Sequence, residues 1–285
     1  MATSYELAGE WIGHRRKAGL ITAGSAKNHR VQLGYFVRAH PTGPLKVDRR
    51  SIRRWLETIG HLSAGSRRSH TSTVRNFLRW AAAEGHVSAK LVELIPKVRP
   101  TRAVPRALTQ DQARRLLDDV TDERLMVIVA LMLWAGLRCA EVTSLRVEDV
   151  DERDGTMLIR GKGGHERVVC IPPELAPTIT RWLDNRNRLP GPLVTGRWGG
   201  LQASTVSDMV SRAMADAGVK VSPRDGRSAH ALRHTCASDV LDRGASITVV
   251  QALLGHVDLA TTAIYMRRVC LDDLRKAMAG RDYCP

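Results

Sequence analysis

Three short runs near the end of the chain are His230-Ala231-Leu232-Arg233, Leu254-Gly255-His256 and Thr261-Thr262-Ala263-Ile264-Tyr265. They put two imidazoles, a guanidinium and a phenol within 36 residues. A fourth run, Ala135-Gly136-Leu137-Arg138-Cys139-Ala140-Glu141, lies far upstream. Cations of these types can gather around a phosphate, and a tyrosine among them can attack it. Arginine suits the task because its rigid fork donates two parallel charge-assisted bonds and stays ionised when desolvated. On a helix Glu141 would sit one turn from Arg138 and could orient it, and His230 and Arg233 would share one face. A phenol that attacks phosphate keeps the bond energy as a phosphotyrosine, so a strand can be cut and rejoined without ATP or a metal. Taken singly, each run is ordinary. HxxR pairs are common on solvated faces, and a lone tyrosine is usually a half-buried packing residue.

The elements that must position these groups read as mostly helical. In residues 1–95, Ile52, Trp55, Leu56 and Ile59 recur at i, i+3, i+4 and i+7, and Val74, Phe77, Leu78 and Ala81 repeat that spacing. Leu7, Ala8, Trp11 and Ile12 form another stripe, and Leu33, Phe36 and Val37 a weaker one. Gly19 and the 41–44 and 60–65 stretches punctuate them, which predicts four helices and a short fifth near Leu91–Ile95. Residues 96–107 carry Pro96, Pro100 and Pro105 interleaved with Lys97, Arg99, Arg102 and Arg106, an extended basic linker. A second domain, 108–285, opens with a capping box at Thr109 and Gln112. Helices over about Gln110–Val120 and Asp122–Ala135 follow, the second stopped by Gly136. Arg138 then begins a short polar helix. Thr156–Arg160 and Arg167–Ile171 read as two strands of a hairpin turning at Gly161-Lys162-Gly163-Gly164. The fold class expected is mainly α with a small antiparallel β-hairpin.

The formal net charge of this 285-residue chain is +15, which points to a polyanion. Residues 1–98 hold 17 Lys/Arg against 6 Asp/Glu, and the remainder 27 against 23, so the first third is the stronger candidate grip on nucleic acid. The hydrophobic fraction of 43% is too high for a disordered chain. Five scattered cysteines with no CxxC suggest neither a disulfide framework nor a zinc site. The longest apolar stretch, Leu125 to Leu137, is 13 residues and too short to span a bilayer. With no signal-peptide pattern, a cytoplasmic location away from membranes is expected.

The ordered set GLRxxE, hairpin GKG, HxLRHT, LGH and TTxxY resembles the catalytic domain of the tyrosine recombinases, which include phage integrases and the Xer chromosome-dimer resolvases. The resemblance covers about residues 105–270; the N-terminal helices resemble that family's core-binding domain only in size, charge and helix count. It implies a catalytic set of Arg138, Lys162, His230, Arg233, His256 and Tyr265, supported by Glu141. Tyr265 would be the nucleophile forming a 3′-phosphotyrosine, and Arg138 and Arg233 would clamp the non-bridging oxygens. His256 would donate to the same phosphate, His230 would handle protons near the nucleophile, and Lys162 would protonate the leaving 5′-oxygen. No cofactor and no metal is implied. The partners implied are double-stranded DNA held in a C-shaped clamp, a homotetramer joining two sites through a Holliday junction, and a directionality factor. Leu271, Leu274 and Met278 form a narrow stripe, so residues 270–285 are expected to be a tail that packs on a neighbouring subunit. Trp11 already belongs to the first core-binding helix, so no arm-binding domain is expected.

A phage or mobile-element integrase is the first reading and an Xer-like dimer resolvase the second. A non-catalytic DNA-binding regulator on the same scaffold and a type IB topoisomerase-like enzyme are the alternatives of other kinds. Tyr283 and His234 are the rivals for Tyr265 and His230; His234 is expected to face another way than its neighbour Arg233. His165 and Arg167, near Lys162, are candidate DNA contacts.

Overall fold

The computed structural model describes residues 3–38, 45, 47–99, 106–161, 164–196, 199–222, 225 and 227–255. The chain splits into two compact units, Met1–Ala103 and Val104–Pro285.

The first unit contains α1 (Ser4–Lys17), α2 (Ala23–Arg38), α3 (Arg49–Thr58), α4 (Ala64–Ala83) and the single turn α5 (Lys90–Glu93). Their starts are written in the sequence: Thr3 with Glu6, and Asp48 with Ser51, form capping boxes, and Ser63 caps α4. The apolar stripes meet in one core in which Trp55, Val74, Phe77, Leu78 and Ala81 are fully buried. Phe36 stands edge-on to Trp55 and Phe77, the arrangement ring quadrupoles favour. Leu56, expected in the stripe, lies only partly buried at its margin.

The second unit is built around α7 (Glu123–Trp134), whose residues Val127 to Leu133 are all buried. A helix apolar on every side must be enclosed, and α7 packs against α9 (Ala176–Asn185), α10 (Ala203–Asp216) and α11 (Ala229–Asp242). α6 (Gln110–Asp119), α8 (Cys139–Ser144) and α12 (Ile247–Leu254) complete its described α-helices. A three-stranded antiparallel sheet, β1 (Val150–Asp151), β2 (Thr156–Arg160) and β3 (Glu166–Cys170), lies beside them in the order β1-β2-β3. β3 begins one residue before the expected strand, because Glu166 pairs with Arg160 and the Gly161 N–H donates to the His165 carbonyl at 2.7 Å. β1 and the two-residue pair β4 (Thr195–Gly196) and β5 (Gly199–Gly200) were not expected, since two residues carry no alternation. Among the described residues, no helix is long and apolar enough to cross a membrane.

Candidate active site

The site begins where α7 stops. Gly136 takes φ +65°, and a Cβ there would lie 2.9 Å from Leu254 Cδ2 and 3.2 Å from Cys236 Sγ. Glycine is needed twice over, for the left-handed turn and for the approach of α11 and α12. The turn delivers Arg138 to the N-cap of α8, where its backbone N–H donates to Glu141 Oε2 at 2.9 Å and its Nη1 to Glu141 Oε1 at 2.7 Å. The one-turn pairing expected from the spacing is therefore present.

Glu141 is 3% exposed and is the hub of the site. Arg233, one turn along α11 from His230, is buried and reaches across to Glu141 Oε2 at 3.5 Å. Its guanidinium also donates to the carbonyls of Gly136 and Leu254. Arg138 Nη1 donates to that same Leu254 carbonyl at 3.3 Å, so the two guanidiniums meet on one carbonyl as well as on one carboxylate. The Arg138 side chain remains 35% exposed, giving the cluster an open edge.

A third guanidinium was not expected in this cluster. Arg167 on β3 donates through Nη1 and Nη2 to the two Glu141 oxygens, at 2.9 and 3.0 Å, and through Nε to the Leu253 carbonyl at 2.8 Å. Its side chain is only 13% exposed, so the candidate DNA contact is instead turned inward. Its signal in the sequence was slight: an arginine among apolar residues of a hairpin strand.

Three guanidiniums on one carboxylate set the electrostatics. Burial, the strongest single influence on Glu141, pushes its carboxyl up. The Arg167 hydrogen bonds, the Arg138 backbone donor and the charges of Arg167 and Arg233 outweigh it and hold the group below the usual carboxylate range. The carboxylate stays ionised, and the cluster carries two positive charges in excess, a setting suited to an anion. His230 lies in its field: desolvation first, then the charges of Arg233 and Arg138, hold the imidazole below its ordinary value. On α11 the i, i+4 spacing puts His234 near the side of His230, and desolvation with the charges of His230 and Arg233 lowers it too. Cys236, buried behind Gly136, is pushed up to about 12 by burial, which leaves an inert thiol.

Arg138, Glu141, His230 and Arg233 are thus brought together from α8 and α11. Gly255 ends α12 in the left-handed conformation. Lys162, His256 and Tyr265, the rival Tyr283 and the 270–285 tail lie outside the described residues.

The profile described as "Phage integrase family" matches residues 106–269, more than half of the chain. The chain belongs to this family of tyrosine recombinases. The integrase-family match spans the whole candidate catalytic set, from Arg138 to Tyr265. Tyrosine recombinase XerD of Mycobacterium leprae is 33% identical over 242 residues, 78% of this chain and 75% of that one. Tyrosine recombinase XerA of Thermococcus kodakarensis is 39% identical over 189 residues; the match spans 64% of each chain, less than two thirds of that relative. A crystal structure of lambda integrase residues 75–356 bound to DNA superimposes with a TM-score of 0.76 at 19% identity, covering 94% of this chain and 97% of that one. The mainly helical fold with a small antiparallel sheet is therefore that of the integrase family.

Proposed function

We propose that this protein is a site-specific DNA recombinase that cuts and rejoins strands through a 3′-phosphotyrosine on Tyr265. The observation that carries the reading is the meeting of Arg138 and Arg233 on Glu141 and the Leu254 carbonyl. Two fixed guanidiniums beside one open edge suit the non-bridging oxygens of a phosphodiester, whose negative charge grows in the transition state. In this reading His256 donates to the same phosphate and Lys162 protonates the leaving 5′-oxygen. His230, held toward its neutral form, takes the phenol proton. A free phenol has a reference pKa of about 10, and nearby cations favour the phenolate. Ligation is the reverse attack by another strand's 5′-hydroxyl.

The substrate is double-stranded DNA, with the basic 1–95 unit as the core-DNA-binding domain, joined by the 96–107 linker to the catalytic domain. Four protomers join two sites through a Holliday junction, their C-terminal tails coupling neighbouring subunits, with a directionality factor as a further partner. Integration or excision of a mobile element is one biological use. The Xer names of the curated relatives favour the other, resolution of joined circular DNA.

The test is a nicked suicide substrate carrying the protein's own site, scored for a covalent DNA adduct. The unaltered chain should form the adduct and Tyr265→Phe should bind without forming it. No adduct on a verified bound site would overturn the catalytic reading and leave a DNA-binding regulator. An undiminished adduct with Tyr265→Phe would overturn the choice of nucleophile.

A further inference from the structure

We infer that Arg167 is a positioning residue of this active site, an inference that rests on the recombinase reading above. Its fork occupies both oxygens of Glu141, and its Nε holds the Leu253 carbonyl at the end of α12. One side chain on β3 thereby ties together the carboxylate that orients Arg138 and the helix end whose Leu254 carbonyl receives both Arg138 and Arg233.

Three observations carry this role. First, Arg167 is mostly buried and three of its donors are engaged inside the protein, which separates it from the exposed edge of Arg138. Second, the end of α12 is in close contact with it: a Cβ on Gly255, itself at φ +60°, would lie 3.0 Å from both Cδ and Nη1 of Arg167. Third, Glu141 needs it. A buried carboxylate persists only when its lone pairs are met by charged donors, and the two-pronged bridge from Arg167 has the best geometry for that. The remaining charged groups facing Glu141 are Arg138 from α8 and Arg233 from α11, with His230 and His234 of α11 in the field of Arg233. Without Arg167 the carboxylate has only the partners it is meant to orient, and one of its two fixed sides is gone.

The decisive experiment compares Arg167→Met, which keeps length without charge, with Arg167→Lys, which keeps charge without the fork, each with and without Glu141→Gln. Adduct formation on the nicked substrate is measured against DNA affinity and pH. Arg167→Met should cut the rate of adduct formation roughly 10–100-fold, the range typical of residues that orient first-contact groups, at nearly unchanged affinity. Arg167→Lys should lose less. The deficit of Arg167→Met relative to the unaltered chain should widen as pH falls from about 7.5 to about 5.5, because Glu141 then takes up a proton and releases Arg138. Expressing it as a ratio removes the effects of His230 and His234, and in the Glu141→Gln background the widening should vanish.

A deficit that does not change with pH would overturn the inference, as would a loss of affinity in proportion to the loss of rate, which would make Arg167 a DNA contact. If Arg167→Met does not fold, Arg167→Lys carries the same comparison. If the unaltered chain forms no adduct, the recombinase reading fails by itself. The tie to Glu141 is then read from thermal melting, where Arg167→Met should lose less at about pH 5.5 than at about pH 7.5, because the buried Glu141 of the folded variant takes up a proton in that window before the unfolded chain does, and Glu141→Gln should remove the difference.

Discussion

In the first unit Arg49, Arg50, Arg53 and Arg54 of α3 all stand at the surface, while the interior is filled by Trp11, Phe36, Trp55 and Phe77. In the second unit Arg233 and Arg167 run inward and end on a single carboxylate. Among the described residues, the polar groups the first unit buries outright are neutral, His70, Thr71 and Thr73 among them: Thr73 meets His29 at 3.1 Å and donates to Gln32 at 2.6 Å. The contrast shows two uses of one residue type. A surface arginine supplies long-range, salt-screened charge that tolerates imprecise placement. A buried arginine is costly unless every partner is met, so it is found where a fixed geometry matters.

The contrast breaks most sharply at Glu141. Glu141→Ala leaves three guanidiniums facing a cavity and should destabilise the second unit by about 3–5 kcal/mol. Phe77→Ala should cost the first unit a similar amount, about 3–5 kcal/mol, through cavity formation alone. Chemical denaturation should separate the two by salt. Added salt should partly relieve the Glu141→Ala defect by screening the crowded cations and leave the Phe77→Ala defect as it is. Equal salt responses would mean that the charge cluster is not what the carboxylate holds together.

A smaller effect should appear with acid. His70 is buried, with Nδ1 lacking a hydrogen-bond partner among the described residues, and desolvation holds its imidazole below the ordinary value. A histidine whose folded-state value lies below its unfolded value of about 6.5 favours folding fully above that pH. As pH falls below it, the unfolded chain takes up the proton first and stability is lost. Melting of the first unit should therefore decline below about pH 6.5, and His70→Gln should flatten the decline. An unchanged slope would assign the acid response to other groups, His29 first among them, which burial and Arg15 also hold low.

The smallest effect on stability should come from Arg53→Gln on the exposed face of α3, within about 0.5 kcal/mol. If the first unit grips phosphate, the same change should weaken DNA binding and reduce the slope of log affinity against log salt by about 1. A normal salt slope would remove Arg53 from the interface.

Much of this architecture was legible in the chain. The stripes through Trp11, Phe36, Trp55 and Phe77 gave the first core, and the caps at Thr109 and Gly136 gave the ends of α6 and α7 to within a residue or two. The pairing of Arg138 with Glu141 was legible because it lies within one helical turn. β1, β4 and β5 were missed because two residues leave no periodicity to read.

Local spacing alone determined which residues form helices, where those helices stop, and which chemistry-bearing groups are neighbours along one turn. The tertiary structure alone decided that Arg167 turns from the hairpin onto Glu141, 26 positions away, and onto Leu253, 86 positions away. It also decided that Arg138 and Arg233 converge on Leu254, 116 and 21 positions from them. Periodicity encodes which side of an element is apolar, but not which buried carbonyl or carboxylate an arginine on that side will meet. That choice follows from how α8 and α11 pack on the enclosed α7 and α12 on α11 and β3, and from the cost of leaving any buried charge without a partner.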